Sequence, residues 1–73
     1  MKRLPLELEL DDGADAAYIS LSGEIAEAAV VANLLLIDDR LRGEIVIDLD
    51  ASNNVLGIEF IGFASMLGTS TDS

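Results

Sequence analysis

The sequence predicts a mainly β domain, α+β in class: an antiparallel β-meander of about four to five strands with a short C-terminal helical turn. Three observations carry that expectation. Residues 4–21 and 44–61 each alternate apolar and polar positions on either side of a polar turn, the period of a half-buried strand. Both stretches fold back on themselves in a register that puts every apolar partner on one face. After Gly62, Phe63, Met66 and Leu67 then fall at i, i+3 and i+4, the spacing of one helical turn.

The first strand is written by Leu4, Leu6, Leu8 and Leu10, alternating with Pro5, Glu7 and Glu9. Pro5 has no amide to donate to a ladder, which points to a sheet edge or a strand start. Asp11 to Asp15 form a turn, and residues 16–21 a second strand. Pairing Leu10 with Ala17, Leu8 with Ile19 and Leu6 with Leu21 leaves Gly13-Ala14 at the tip, the type II′ preference.

Residues 24–37 carry enough Ala and Leu for a helix by propensity. Their short apolar runs at 28–31 and 34–37 show no polar helical face, however, so strand is the favoured reading, with Asn33 marking a bend or bulge. Runs apolar on both faces demand burial on both faces. This segment is the first candidate for a subunit interface.

Residues 38–43 make a polar turn into the clearest hairpin. Leu49 facing Leu56, Ile47 facing Ile58 and Ile45 facing Phe60 leaves Ser52 and Asn53 as a two-residue tip. Such a tip needs positive φ, which Asn53 tolerates better than most residues. Asp48 then lies opposite Gly57, a glycine expected to mark a close approach or a bulge. Gly68 stops the helical turn, so residues 1–68 form one domain and 69–73 a flexible tail.

Composition narrows the function. A chain of 73 residues buries only about 60% of its unfolded surface. It has no cysteine for disulfides or thiolate metal sites, and no histidine, the commonest general base and metal ligand. Fourteen acids against four bases give a net charge of −10, without the clustered cations that nucleic acid or anionic membranes require. Glu7 and Glu9 interrupt any signal-peptide core, and the apolar run 28–37 is too short to cross a bilayer, so a cytoplasmic protein is expected. Apolar residues make up 51% of the chain, more than one sheet with one covered face can use. A second copy is the expected cover.

The series Asp11-x-x-x-Asp15-Ala16-x-Tyr18-Ile19-x-Leu21, Ala26-Glu27, Gly43-x-x-x-x-Asp48-x-Asp50, Gly57-Ile58-Glu59 and Ala64-Ser65 occurs in that order. It resembles the YuzE-like family of short bacterial and archaeal proteins, a domain of unknown function, over roughly residues 6–65. The resemblance implies a small β-sheet protein with a short terminal helix and no established activity. Leu10 departs from it where the family often has Tyr, as does Ser52-Asn53 where the family commonly shows Asp-Gly. Both departures keep the turn chemistry and weaken a metal-loop reading.

Asp48, Asp50, Ser52, Asn54 and Glu59 match the ligand spacing of an EF-hand loop, and Val55 fills its apolar eighth position. Asn53 replaces the loop glycine, and the flanks alternate as strands rather than helices. Asp48, Asp50 and Glu59 therefore stand only as an alternative divalent-metal set beside a plain reading, a solvated acidic face with turn-capping bonds. Asp11, Asp12 and Asp15 surround a glycine-containing turn and read as caps for its amides. Tyr18, the single tyrosine, has Ser20 and Ser22 on its face and no suitable base nearby, so cross-strand packing is expected of it.

The expectation is a small acidic non-catalytic protein with no cofactor: a homo-oligomeric protein-interaction module, most simply a dimer, that binds neither nucleic acid nor membrane. The alternatives are a divalent-metal protein using the 48–59 hairpin, or an acidic antidote-like partner of a small basic toxin-like protein.

Overall fold

An extended stretch becomes a strand where a neighbour takes its backbone bonds, and five stretches among the described residues do so. The computed structural model describes residues 1–21 and 29–68. In chain order the elements are β1 (Leu8–Asp11), β2 (Ala16–Ser20), β3 (Ala32–Leu36), β4 (Glu44–Leu49), β5 (Val55–Ile61) and α1 (Phe63–Leu67). The strands form one antiparallel sheet in the order β1-β2-β5-β4-β3. The hairpin β1-β2 and the meander β3-β4-β5 are thus joined edge to edge, with β2 beside β5. The tail 69–73 and the Ala26-Glu27 motif lie outside the described residues.

The β1-β2 register matches the expected one at Leu8–Ile19 and Leu10–Ala17. Two details differ. Residues 4–6 lie outside the strand, and Leu21 donates its N–H to Leu56 O at 2.9 Å rather than pairing with Leu6. The loop is also longer than a Gly13-Ala14 tip. Asp11 pairs with Ala16, and Asp15, not Gly13, takes the positive φ, 51°. The cause is local hydrogen bonding: the Asp11 carboxylate accepts the N–H groups of Gly13 (3.1 Å) and Ala14 (3.3 Å), which draws the chain into successive turns.

The β4-β5 register holds at Ile45–Phe60, Ile47–Ile58 and Asp48–Gly57 and then slips by one, so Leu49 pairs with Val55 rather than Leu56. Leu56 is the extra residue of a β-bulge. The slip follows from the loop. A two-residue tip needs positive φ at both positions (type I′) or at the first (type II′), and here Asn53, the second, has it (66°) while Ser52 does not. The chain instead closes a turn from Asp50 to Asn53 (3.0 Å), with Asp50 N–H to Asn54 O beyond it (3.1 Å), and the bulge restores the original parity. Asn33, expected at a bend, sits in a regular ladder opposite Asp48.

The ladders align one continuous apolar face: Leu34, Ile47, Ile58, Ile19 and Leu8 form one row across it, and Leu36, Ile45, Phe60, Ala17 and Leu10 the next. Helix α1 lies against that face where β5 ends, with the Phe60 and Phe63 rings 5.7 Å apart at 54°. Its entry is tied to the first hairpin. Asp15 O accepts the N–H groups of Gly62 (2.9 Å) and Phe63 (3.0 Å), and Asp15 Oδ1 accepts that of Ala64 (3.0 Å). Gly68, φ 74°, ends the helix as expected.

The cover is thin. Among the described residues the buried hydrophobic side chains are Ala17, 2% exposed, and Leu56, 9%. Ile45, Ile47, Leu49, Ile58 and Phe60, expected to be buried with Leu56, are only half-buried, because α1 is too short to span the sheet. Leu8, Leu10, Leu34 and Leu36 at its two sides are exposed.

Candidate functional site

On the face opposite α1 the same registers align polar groups. One row runs Glu9, Tyr18, Glu59, Val46, Leu35, and the next runs Ser20, Gly57, Asp48, Asn33. Tyr18 leaves its own row and lies across Gly57 to reach Asp48 in the next, where its hydroxyl donates to Asp48 Oδ2 at 3.0 Å. A Cβ on Gly57 would strike the Tyr18 ring and hydroxyl, so the glycine makes the path for the phenol. From the other side Asn33 Nδ2 donates to Asp48 Oδ1 at 2.6 Å. One carboxylate on β4 thereby ties together β2 and β3, over the top of β5.

The electrostatics fix the protonation pattern. Burial, then the hydrogen bond to Asp48 and the charges of Asp48 and Glu59, push the Tyr18 phenol from 10.0 up to about 12. The neutral phenol is therefore a donor at any physiological pH. Both Asp48 oxygens accept a donor, so the cluster fixes β2 and β3 relative to β4.

The other acidic residues singled out in the sequence are used locally. Asp50 Oδ1 accepts the N–H groups of Ser52 (2.8 Å) and Asn54 (2.9 Å), while Oδ2 accepts from the Asn54 side chain (3.0 Å). The Asn54 backbone N–H, followed by its amide side chain, holds the Asp50 carboxyl below its ordinary value. Of the alternative metal set, Asp48 and Glu59 share the polar face on neighbouring strands, and Asp50 turns into its own loop. No three His, Cys, Asp or Glu side chains converge on a common point among the described residues. Asp11 caps its own turn as expected, whereas Asp15 caps α1 across the chain.

Two residues of this network were not visible as such in the sequence. Asn33 read as a strand irregularity, although its place as the single polar residue in an apolar run is the signal for a specific partner. Tyr18 read as packing, because its partner depends on the β2-β5 contact between distant segments.

The apolar face offers a second feature, an open cleft of about 400 Å³ lined by Leu8, Ile19, Leu41, Ile45, Phe60, Phe63, Met66 and Leu67. No helix of the described residues is long and apolar enough to cross a membrane.

Residues 8–63 match the family model described as Protein of unknown function (DUF2283), a span from the first residue of β1 to the first of α1. No curated protein and no solved structure matches the chain. The match covers well over half of the sequence, and the chain belongs to the DUF2283 family.

Proposed function

We propose that this DUF2283 protein is a non-catalytic protein-interaction module that works as a homo-oligomer, most simply a dimer. The observation that carries the reading is the apolar face: the five residues of α1 cover only part of it, and Leu8, Leu10, Leu34 and Leu36 stay exposed. Contiguous exposed apolar surface of this kind marks contact surfaces in soluble proteins. Two-fold dimers are the commonest way to close one. The polar face supports the non-catalytic part, since its Asp48 carboxylate is engaged by Tyr18 and Asn33. The same bonds, with those of Asp50, favour interaction over a divalent-cation role for Asp48, Asp50 and Glu59. The acidic composition and the likeness to YuzE-like proteins of bacteria and archaea fit a cytoplasmic setting.

Sedimentation at micromolar concentration and about physiological ionic strength tests the reading. A species of two chains is expected. Salt should tighten it, because screening relieves the repulsion between chains of net charge −10. A single chain at every concentration and salt level would remove the proposal.

A further inference from the structure

The two edges of the sheet are unlike. An edge strand presents unpaired backbone donors and acceptors, and proteins blunt it with charge, proline or a bulge. The β1 edge has such protection: Glu9 and Asp11 within the strand, Glu7 and Asp12 beside it, and Pro5 just before. The β3 edge has none among the described residues. Its sequence, ANLLL, carries no charge, proline or glycine, all five residues are exposed, and its ladder to β4 is regular. The flanking Val31 and Ile37 are exposed as well, at 59% and 63%.

We infer that β3 pairs antiparallel with β3 of a second copy about a two-fold axis through Leu34, joining two sheets into one continuous sheet. This rests on the homo-oligomer reading and states where the copies meet. Charge selects the occupant. Two chains of net charge −10 repel over most of their surfaces, and residues 28–37 are a stretch where neither carries charge. A basic partner would be drawn to the acidic rows and rims, not to this strip.

The register follows from the same stretch. Centred on Leu34, it sets Val31 opposite Ile37, Ala32 opposite Leu36, and Asn33 opposite Leu35, which uses the whole exposed uncharged run. Sliding by two residues toward the C-terminus would bring Asp38 of each copy opposite Ala32 of the other. The two-fold axis stands perpendicular to the sheet, so each face continues across the seam. Ala32, Leu34 and Leu36 extend the apolar face, and both copies of α1 lie on the same side.

The chain has no cysteine, so introduced thiols report the contact without background. Directly opposed residues of antiparallel strands have Cα atoms about 4.5–5.5 Å apart, within the range a disulfide spans. Leu34→Cys should convert almost wholly to a covalent dimer on mild oxidation. Ala32→Cys and Leu36→Cys should cross-link when mixed and far less when oxidised alone, which reads the register even where Leu34→Cys folds poorly. Glu9→Cys, on the other edge, should stay uncrosslinked. If sedimentation shows two chains while these β3 pairs resist oxidation, the copies meet elsewhere and only this inference falls. If sedimentation shows one chain and nothing cross-links, the homo-oligomer reading falls with it.

Discussion

On one face of the sheet Ile19, Ile45, Ile47, Ile58 and Phe60 lie half-buried around α1, while on the other Tyr18 reaches across Gly57 to a carboxylate that Asn33 also holds. The first face relies on area removed from water, which has no direction and is incomplete in a single chain. The second relies on directed hydrogen bonds, and these are complete within the chain. The difference teaches where this small domain needs help. Its polar face is finished and its apolar face is not.

Substitutions on the two faces should therefore differ in size. The largest effect is expected at Leu56, the buried residue of the bulge: Leu56→Ala should cost about 2–5 kcal/mol by chemical denaturation. A smaller loss, about 1–3 kcal/mol, is expected for Gly57→Ala, since the added methyl must displace the Tyr18 ring and break its bond to Asp48. A stability equal to that of the unaltered protein there would mean that the phenol does not lie over the glycine.

Tyr18→Phe should cost roughly 0.5–1.5 kcal/mol, the range for one hydrogen bond. The same residue sets a pH dependence. Its folded value of about 12 lies above the ordinary 10.0, so its stabilising contribution is full below pH 10 and is lost as pH rises toward 12. Tyr18 is the single tyrosine, so ultraviolet titration of the phenolate reads it alone. A midpoint near 10 would show that Tyr18 is neither buried nor bonded to Asp48. The smallest change should come at the hairpin tip, where Asn53 already sits at φ 66°: Asn53→Gly should be neutral or stabilising by up to about 1 kcal/mol.

Much of this was legible in the sequence because strand periodicity is local. The partners Ile45–Phe60, Ile47–Ile58, Leu8–Ile19 and Leu10–Ala17 follow from alternation around a turn, and α1 from the spacing of Phe63, Met66 and Leu67. The loops were misread where one side-chain bond outweighs a backbone preference. Asp11 reshapes the first turn, and the lone positive φ of Asn53 forces three residues into the second, moving Leu49 to Val55. The Tyr18–Asp48–Asn33 cluster depends on β2 lying beside β5, a long-range pairing that no local pattern encodes. Asp15 is the same lesson, a turn residue whose partners lie at the start of α1.

The central claim is that the folded state holds more than one chain, because one chain leaves the β3 edge and the apolar residues along it open to solvent. Thermal unfolding measured across a wide range of protein concentration tests it most directly, since a dimer that melts to separate chains must obey mass action. The account predicts a midpoint that climbs by roughly 4–5 °C for each tenfold rise in concentration, given about 1.4 kcal/mol per decade and the unfolding entropy of two such chains. A midpoint that stays fixed over that range would show a chain that folds alone, and would contradict it.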